Sequence, residues 1–187
     1  SCKQQTNATN SKKLQLVITL FYIGQSNSLV MKPRFLTWNP KEVAKALKIS
    51  EGDVRQYFTD GRKVSFIIER RIAYEVLKGK MAPTEGASYD VIDKDGKMWE
   101  VRSISKGGIY FSPSYMVGSG RKFGEEGFLK KLKGVSGFII SDIESFPNVP
   151  FWIIPTAQVS KWWQSKQLGT STKIPRKKIL KLISELK

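Results

Sequence analysis

The stretch SYDVIDKDGKMWEVRS, residues 88 to 103, constrains the fold more than any other part of the chain. Two short apolar runs flank the turn signal DKDG, and the pattern predicts antiparallel strands over 88–93 and 97–104. Period-two alternation puts Met98, Glu100, Arg102 and Ile104 on one face of the second strand, and Trp99, Val101 and Ser103 on the other. Pairing across the turn brings Asp90 toward Glu100. Two carboxylates converging on a hairpin repel each other unless a cation sits between them, and a hard divalent ion such as Mg2+ is the natural one. Arg102, at the next position on that face, is placed to polarise a phosphate and stabilise developing charge.

The segments on either side predict a mixed architecture. Asn39 can cap a helix with Pro40 at its first position, and Val43, Ala44 and Leu47 give PKEVAKALK one apolar stripe. After a short turn, Ser50 caps a second helix, EGDVRQYF, which carries Arg55, Gln56 and Tyr57 and ends at Gly61. Two short helices joined in this way resemble a helix-turn-helix, whose second helix enters the major groove. A third helix is predicted over roughly 63–78, burying Val64, Ile67, Ile68, Ile72 and Val76, and Arg62 and Lys63 add positive charge at its start. The loop GKMAPTEGAS marks a boundary near residue 80. Beyond it come apolar strands at GFIISD and VPFWIIP, a helix at AQVSKWWQS, and a basic last helix from Pro175 with an Ile179, Leu182, Ile183 and Leu186 stripe. Trp152, Trp162 and Trp163 read as core, and Asp142 and Glu144 as a solvated strand end.

Charge and missing residue types narrow the chemistry. Thirty-two Lys and Arg stand against sixteen Asp and Glu, a net +16 spread along all 187 residues, which points to a polyanion such as nucleic acid. There is no His and one Cys, so Cys/His zinc sites, intramolecular disulfides and catalysis by a His base are excluded. Chemistry must therefore run on carboxylates, Lys, Arg, Tyr or a metal ion held through oxygen. The run LQLVITLFYI, Leu14 to Ile23, is too short to span a bilayer and lacks a following small-residue cleavage site, so it reads as a buried strand or a helix. No membrane association and a cytoplasmic location are the expectation. The stretch GGIYFSPSYMVGSGRKF offers a loop facing DNA, with donors from Ser112, Ser114, Ser119, Arg121 and Lys122.

Asp90, nine intervening residues, then Glu100-Val101-Arg102 resembles the motif of the PD-(D/E)XK nucleases. In that family an Asp and a second acidic residue on adjacent strands bind Mg2+, and a Lys two positions on activates water. The resemblance implies Asp90 and Glu100 as metal ligands, Arg102 at the Lys position, and Glu75 of RIAYEVLKG as the acidic residue of the preceding helix. Arg cannot serve as a base, because it stays protonated under all working conditions. Together these features predict an α/β protein with a restriction-endonuclease-like mixed sheet flanked by helices and an N-terminal helix-turn-helix-like module. The expected divisions are an N-terminal segment over 1–35, a helical module that reads DNA over 36–80, and a nuclease-like domain over 81–187. The implied activity is Mg2+-dependent, sequence-specific cleavage of double-stranded DNA by a homodimer, like a type II restriction endonuclease. The alternatives are a non-catalytic DNA-binding regulator on a degenerate nuclease scaffold, and an RNA-binding protein.

Overall fold

Asn39 starts the first helix as its residue type requires: its side chain accepts from the backbone N–H groups of Lys41 and Glu42 at 3.1 and 3.4 Å, satisfying donors that the helix cannot. In the computed structural model, residues 31–84, 86–113, 116, 122–168 and 173–186 are described. Their helices are α1 (Pro40–Leu47), α2 (Glu51–Thr59), α3 (Gly61–Arg71), α4 (Glu125–Lys133), α5 (Thr156–Gln164) and α6 (Arg176–Ser184). The strands are β1 (Arg34–Thr37), β2 (Lys80–Met81), β3 (Val91–Ile92), β4 (Met98–Ile104), β5 (Ile109–Tyr110), β6 (Gly137–Asp142), β7 (Asn148–Pro155) and β8 (Lys173–Ile174). The run Leu14 to Ile23 lies outside the described residues.

One mixed sheet of six strands has the order β1-β7-β6-β4-β3-β2, and β5 pairs with β8 separately. β4 and β6 are parallel, with Glu100 beside Phe138 and Arg102 beside Ile140. Parallel neighbours need a long crossover, and here α4 lies within it. The remaining pairs, β2 with β3, β3 with β4, β6 with β7 and β1 with β7, are antiparallel.

Alternation divides the core between the two faces of this sheet. On one face Val101, Ile139 and Phe151 join Ala44, Val54, Phe58, Val64, Ile68 and Ile72 of the first three helices and the turn after them. On the other, Phe138 lies 5.4 Å from Phe111, whose ring is in turn 6.4 Å from Trp162 of α5. Each fully buried Ile or Phe contributes about 1.5–3 kcal/mol. Helices α1 to α3 therefore share one core with strands that follow residue 80, and Met31–Glu185 is one compact unit with no break at the GKMAPTEGAS loop.

The third helix departs from its expected course. It stays α-helical only to Arg71, then widens into a π-helical turn, Ile72–Val76. Gly79, just beyond, donates to the Ala73 carbonyl at 2.9 Å and lies so close to β3 that a Cβ there would run into the Ile92 carbonyl oxygen. Gly is thus the only residue that lets the helix return to the hairpin at this point.

Candidate active site

The hairpin forms where it was expected, with Val91 opposite Trp99 and Ile92 opposite Met98. The DKDG turn is closed from within. Asp93 Oδ1 accepts from the N–H groups of Asp95 and Lys97, both at 2.9 Å, and Asp93 Oδ2 accepts from Trp99 Nε1 at 2.9 Å. β3 is short, so Asp90 falls immediately before it. Its own N–H still donates to the Trp99 carbonyl at 3.0 Å, while its Oδ2 accepts from the Val101 N–H at 2.8 Å. That second bond ties the Asp90 carboxylate to the backbone of the strand that carries Glu100.

Glu100 is 1 % exposed and forms ion pairs with two cations, Arg102 Nη2 from its own strand and Lys131 Nζ from α4. Lys131 also donates to the Ser88 carbonyl at 2.7 Å, linking α4 to the segment that enters the hairpin. Arg102 retains a donor: its buried Nε has no acceptor among the described residues.

A third carboxylate belongs to this group. Glu69 of α3 is pushed up to about 7, first by burial and then by the Asp90 carboxylate, with Glu100 adding to the rise while Arg102 and Arg70 pull against it. Glu100 is likewise raised, burial being the largest cause and Asp90 adding to it, against the pull of Arg102 and Lys131. Burial and mutual repulsion thus outweigh the nearby cations, which is the electrostatic setting that a divalent ion relieves. Among the described residues no group of three or more His, Cys, Asp or Glu side chains is placed to hold a metal ion. Asp90 and Glu100 are the residues that could hold an ion that takes one or two carboxylates and completes its shell with water or phosphate oxygens, as Mg2+ does.

Glu75 is engaged elsewhere. Arg71 grips its carboxylate in a fork at 2.7 and 2.6 Å and holds it below the usual carboxylate range. The same Arg71 donates to the Thr37 carbonyl at 2.8 Å, so the pair fastens the π turn to β1. The helix before the hairpin therefore brings Glu69, not Glu75, to Asp90 and Glu100. The spacing of Arg71 and Glu75, four residues apart on a helix, was a legible sign that Glu75 had a local partner. Lys131 was harder to find. It follows Phe128 by three residues and so flanks the stripe that α4 buries, but only the packing of α4 shows that it meets Glu100.

Several of the residues predicted to contact DNA are engaged in contacts within the protein. Arg55 donates to the Phe146 carbonyl at 2.9 Å and lies 5.8 Å from that ring, so its guanidinium is tied to the turn before β7. Gln56 is exposed, and the exposed Tyr57 donates to the Lys63 carbonyl at 3.3 Å. Arg62 and Lys63 are exposed, with Asp60 3.9 and 3.7 Å away. Ser112 is buried and Lys122 exposed, while Ser114, Ser119 and Arg121 lie outside the described residues. Asp142 is not solvated. It is buried and receives Arg176 in a fork at 3.0 and 2.5 Å, pinning the start of α6 to the end of β6. Glu144 accepts from the Lys106 N–H at 2.6 Å.

Among the described residues no helix is long and apolar enough to cross a membrane. Compared with known protein families, curated proteins and solved structures, the chain finds no match in any of the three. Its class rests on the architecture itself: a mixed α/β protein with a six-stranded sheet flanked by helices and a cluster of buried charges at the hairpin.

Proposed function

We propose that the chain is a divalent-metal-dependent endonuclease acting on double-stranded DNA. The observation that carries this reading is the group of Asp90 at the entry to the hairpin and Glu100 on β4, joined by Glu69, with Arg102 and Lys131 beside them. The mixed sheet with flanking helices, and the position of Asp90 at the entry to β3 beside β4, which carries Glu100, support the resemblance to the PD-(D/E)XK nucleases. Asp90 and Glu100 would hold Mg2+, which when bound supplies Lewis-acid polarisation and an activated water. Arg102, whose side chain is 21 % exposed, would add positive charge beside a phosphate. Glu69, held near neutrality, can take or give a proton beside the reacting phosphate. Lys131 holds Glu100 in place from α4. The net charge of +16 supplies long-range attraction for the polyanion, and a homodimer would present two such groups to the two strands. Incubation of the purified chain with supercoiled plasmid, with and without Mg2+, tests the reading. Metal-dependent nicking or linearisation that Asp90→Asn abolishes is the expected result, and no cleavage in any divalent ion rejects it.

One observation favours a second reading, a DNA-binding protein without catalysis. Glu100 already has two cationic partners, an arrangement that persists without metal. On that reading Asp90→Asn leaves DNA affinity intact and there is no cleavage for it to remove.

A further inference from the structure

The exposed side of α3 carries a feature that the carboxylate group does not use. The Arg70 guanidinium carbon lies 3.3 Å from the centroid of the Phe66 ring, and Nη1 donates to the Phe66 carbonyl at 3.1 Å. Phe66 is 59 % exposed and Tyr74, one turn past Arg70, is 55 % exposed. The Arg62 side chain, one turn before Phe66, is 96 % exposed. At about 100° per residue, Arg62, Phe66, Glu69 and Arg70 fall within roughly a quarter to a third of the helix circumference. The stripe therefore runs along the same side of α3 that presents Glu69 to Asp90.

An Arg and a Phe four residues apart stabilise a helix slightly, and single exposed rings are ordinary. Three features exceed that. Phe66 and Tyr74 are exposed instead of packing inward, the guanidinium is held over the Phe66 ring with a bond to its backbone carbonyl, and cations continue the stripe at Arg62 and Lys63. A flat guanidinium on a ring has a second face, and that face suits a nucleobase. A base inside a duplex hides its faces in the stack, so the platform selects one that has left it.

We infer that Phe66 and Arg70, with Tyr74, form a stacking platform for an unpaired base next to the carboxylate group, so that the preferred partner is duplex DNA carrying a single-stranded tail or an extruded nucleotide. The occupant is nucleic acid and not a second copy of the chain, because the stripe is cationic on a chain of net charge +16, and two such stripes repel. This inference rests on the nucleic-acid reading above and narrows its substrate.

The test is fluorescence anisotropy in EDTA, which prevents cleavage, comparing a labelled blunt duplex with the same duplex bearing a single-stranded tail. Wild-type protein is expected to prefer the tailed duplex. Phe66→Ala and Arg70→Ala should each lose about tenfold on the tailed duplex and little on the blunt one. Arg70→Lys is the decisive variant: it keeps the charge and the helix but not the plane, and it should lose affinity as Arg70→Ala does. Arg70→Lys that matches wild type, or equal losses on both duplexes, overturns the platform. Sedimentation in which Phe66→Ala converts a dimer to a monomer also overturns it, by assigning the stripe to self-association. Wild type that binds both duplexes alike rejects this inference alone, whereas wild type that binds neither rejects the nucleic-acid reading as well.

Discussion

Glu69→Gln tests the electrostatics of the site without requiring any substrate. In the folded chain Glu69 is raised from 4.5 to about 7, with burial the largest cause and Asp90 the next. A carboxyl whose folded pKa lies above its unfolded value favours the folded state while protonated and loses that contribution as pH rises between the two values. Below pH 4.5 Glu69 holds its proton in both states and costs nothing. Between there and about pH 7 the unfolded chain ionises first, and folding is progressively penalised. The full gap corresponds to about 3 kcal/mol, and because the group is partly open to solvent, screening reduces it to about 1–2 kcal/mol. Gln preserves the shape and removes the charge. Urea denaturation at pH 4 and pH 8 should therefore give equal stabilities at the lower pH, and a Glu69→Gln protein more stable by about 1–2 kcal/mol at the higher. Millimolar Mg2+ should shrink the difference by stabilising the wild-type carboxylates. A variant that is less stable than wild type at pH 8, or whose advantage does not grow with pH, would refute the account of a carboxylate cluster short of positive charge.

Three further perturbations probe the surroundings. Lys131→Met removes one of the two cations on buried Glu100 and should cost about 2 kcal/mol in urea denaturation, less than the loss of a sole partner because Arg102 remains; adding Glu100→Gln should recover much of the loss. Arg55→Ala breaks the bond to the Phe146 carbonyl and should cost about 1 kcal/mol, whereas Gln56→Ala, exposed on the same helix, should stay within about 0.5 kcal/mol by thermal denaturation. Gly79→Ala places a methyl against the backbone of Ile92 and Asp93, which no side-chain rotation relieves, and should cost at least about 2 kcal/mol by the same assay.

The hairpin was legible because two local signals agree: alternation fixes which side chains share a face, and the turn residues fix the register, so Arg102 pairs with Glu100 and Asp90 bonds to the Val101 N–H that lies between them in the chain. The third helix was legible as an element, yet its acidic contribution was not. Glu69 and Glu75 are six residues apart and point to different sides, and only packing decides which side faces the hairpin. Lys131 and Arg176 find their carboxylates at long separation in sequence, through helices whose docking no local pattern encodes. The two-residue strand β5 is too short to show any period, so its stretch read as a loop. Helices α1 and α2 were recognisable from their caps, but their apolar stripes did not reveal that they close over the central sheet instead of standing apart as a module.

The central claim is that the hairpin carboxylates form a metal-dependent phosphodiester-cleaving site. It is tested most directly by single-turnover cleavage of DNA at fixed Mg2+ by wild type, Asp90→Asn and Glu100→Gln, with DNA affinity measured in parallel. The account predicts that either substitution abolishes cleavage while affinity is retained or improved, since each removes negative charge beside the phosphate. Cleavage at the wild-type rate in both variants would show instead that Asp90 and Glu100 are structural and that no catalytic site lies at the hairpin.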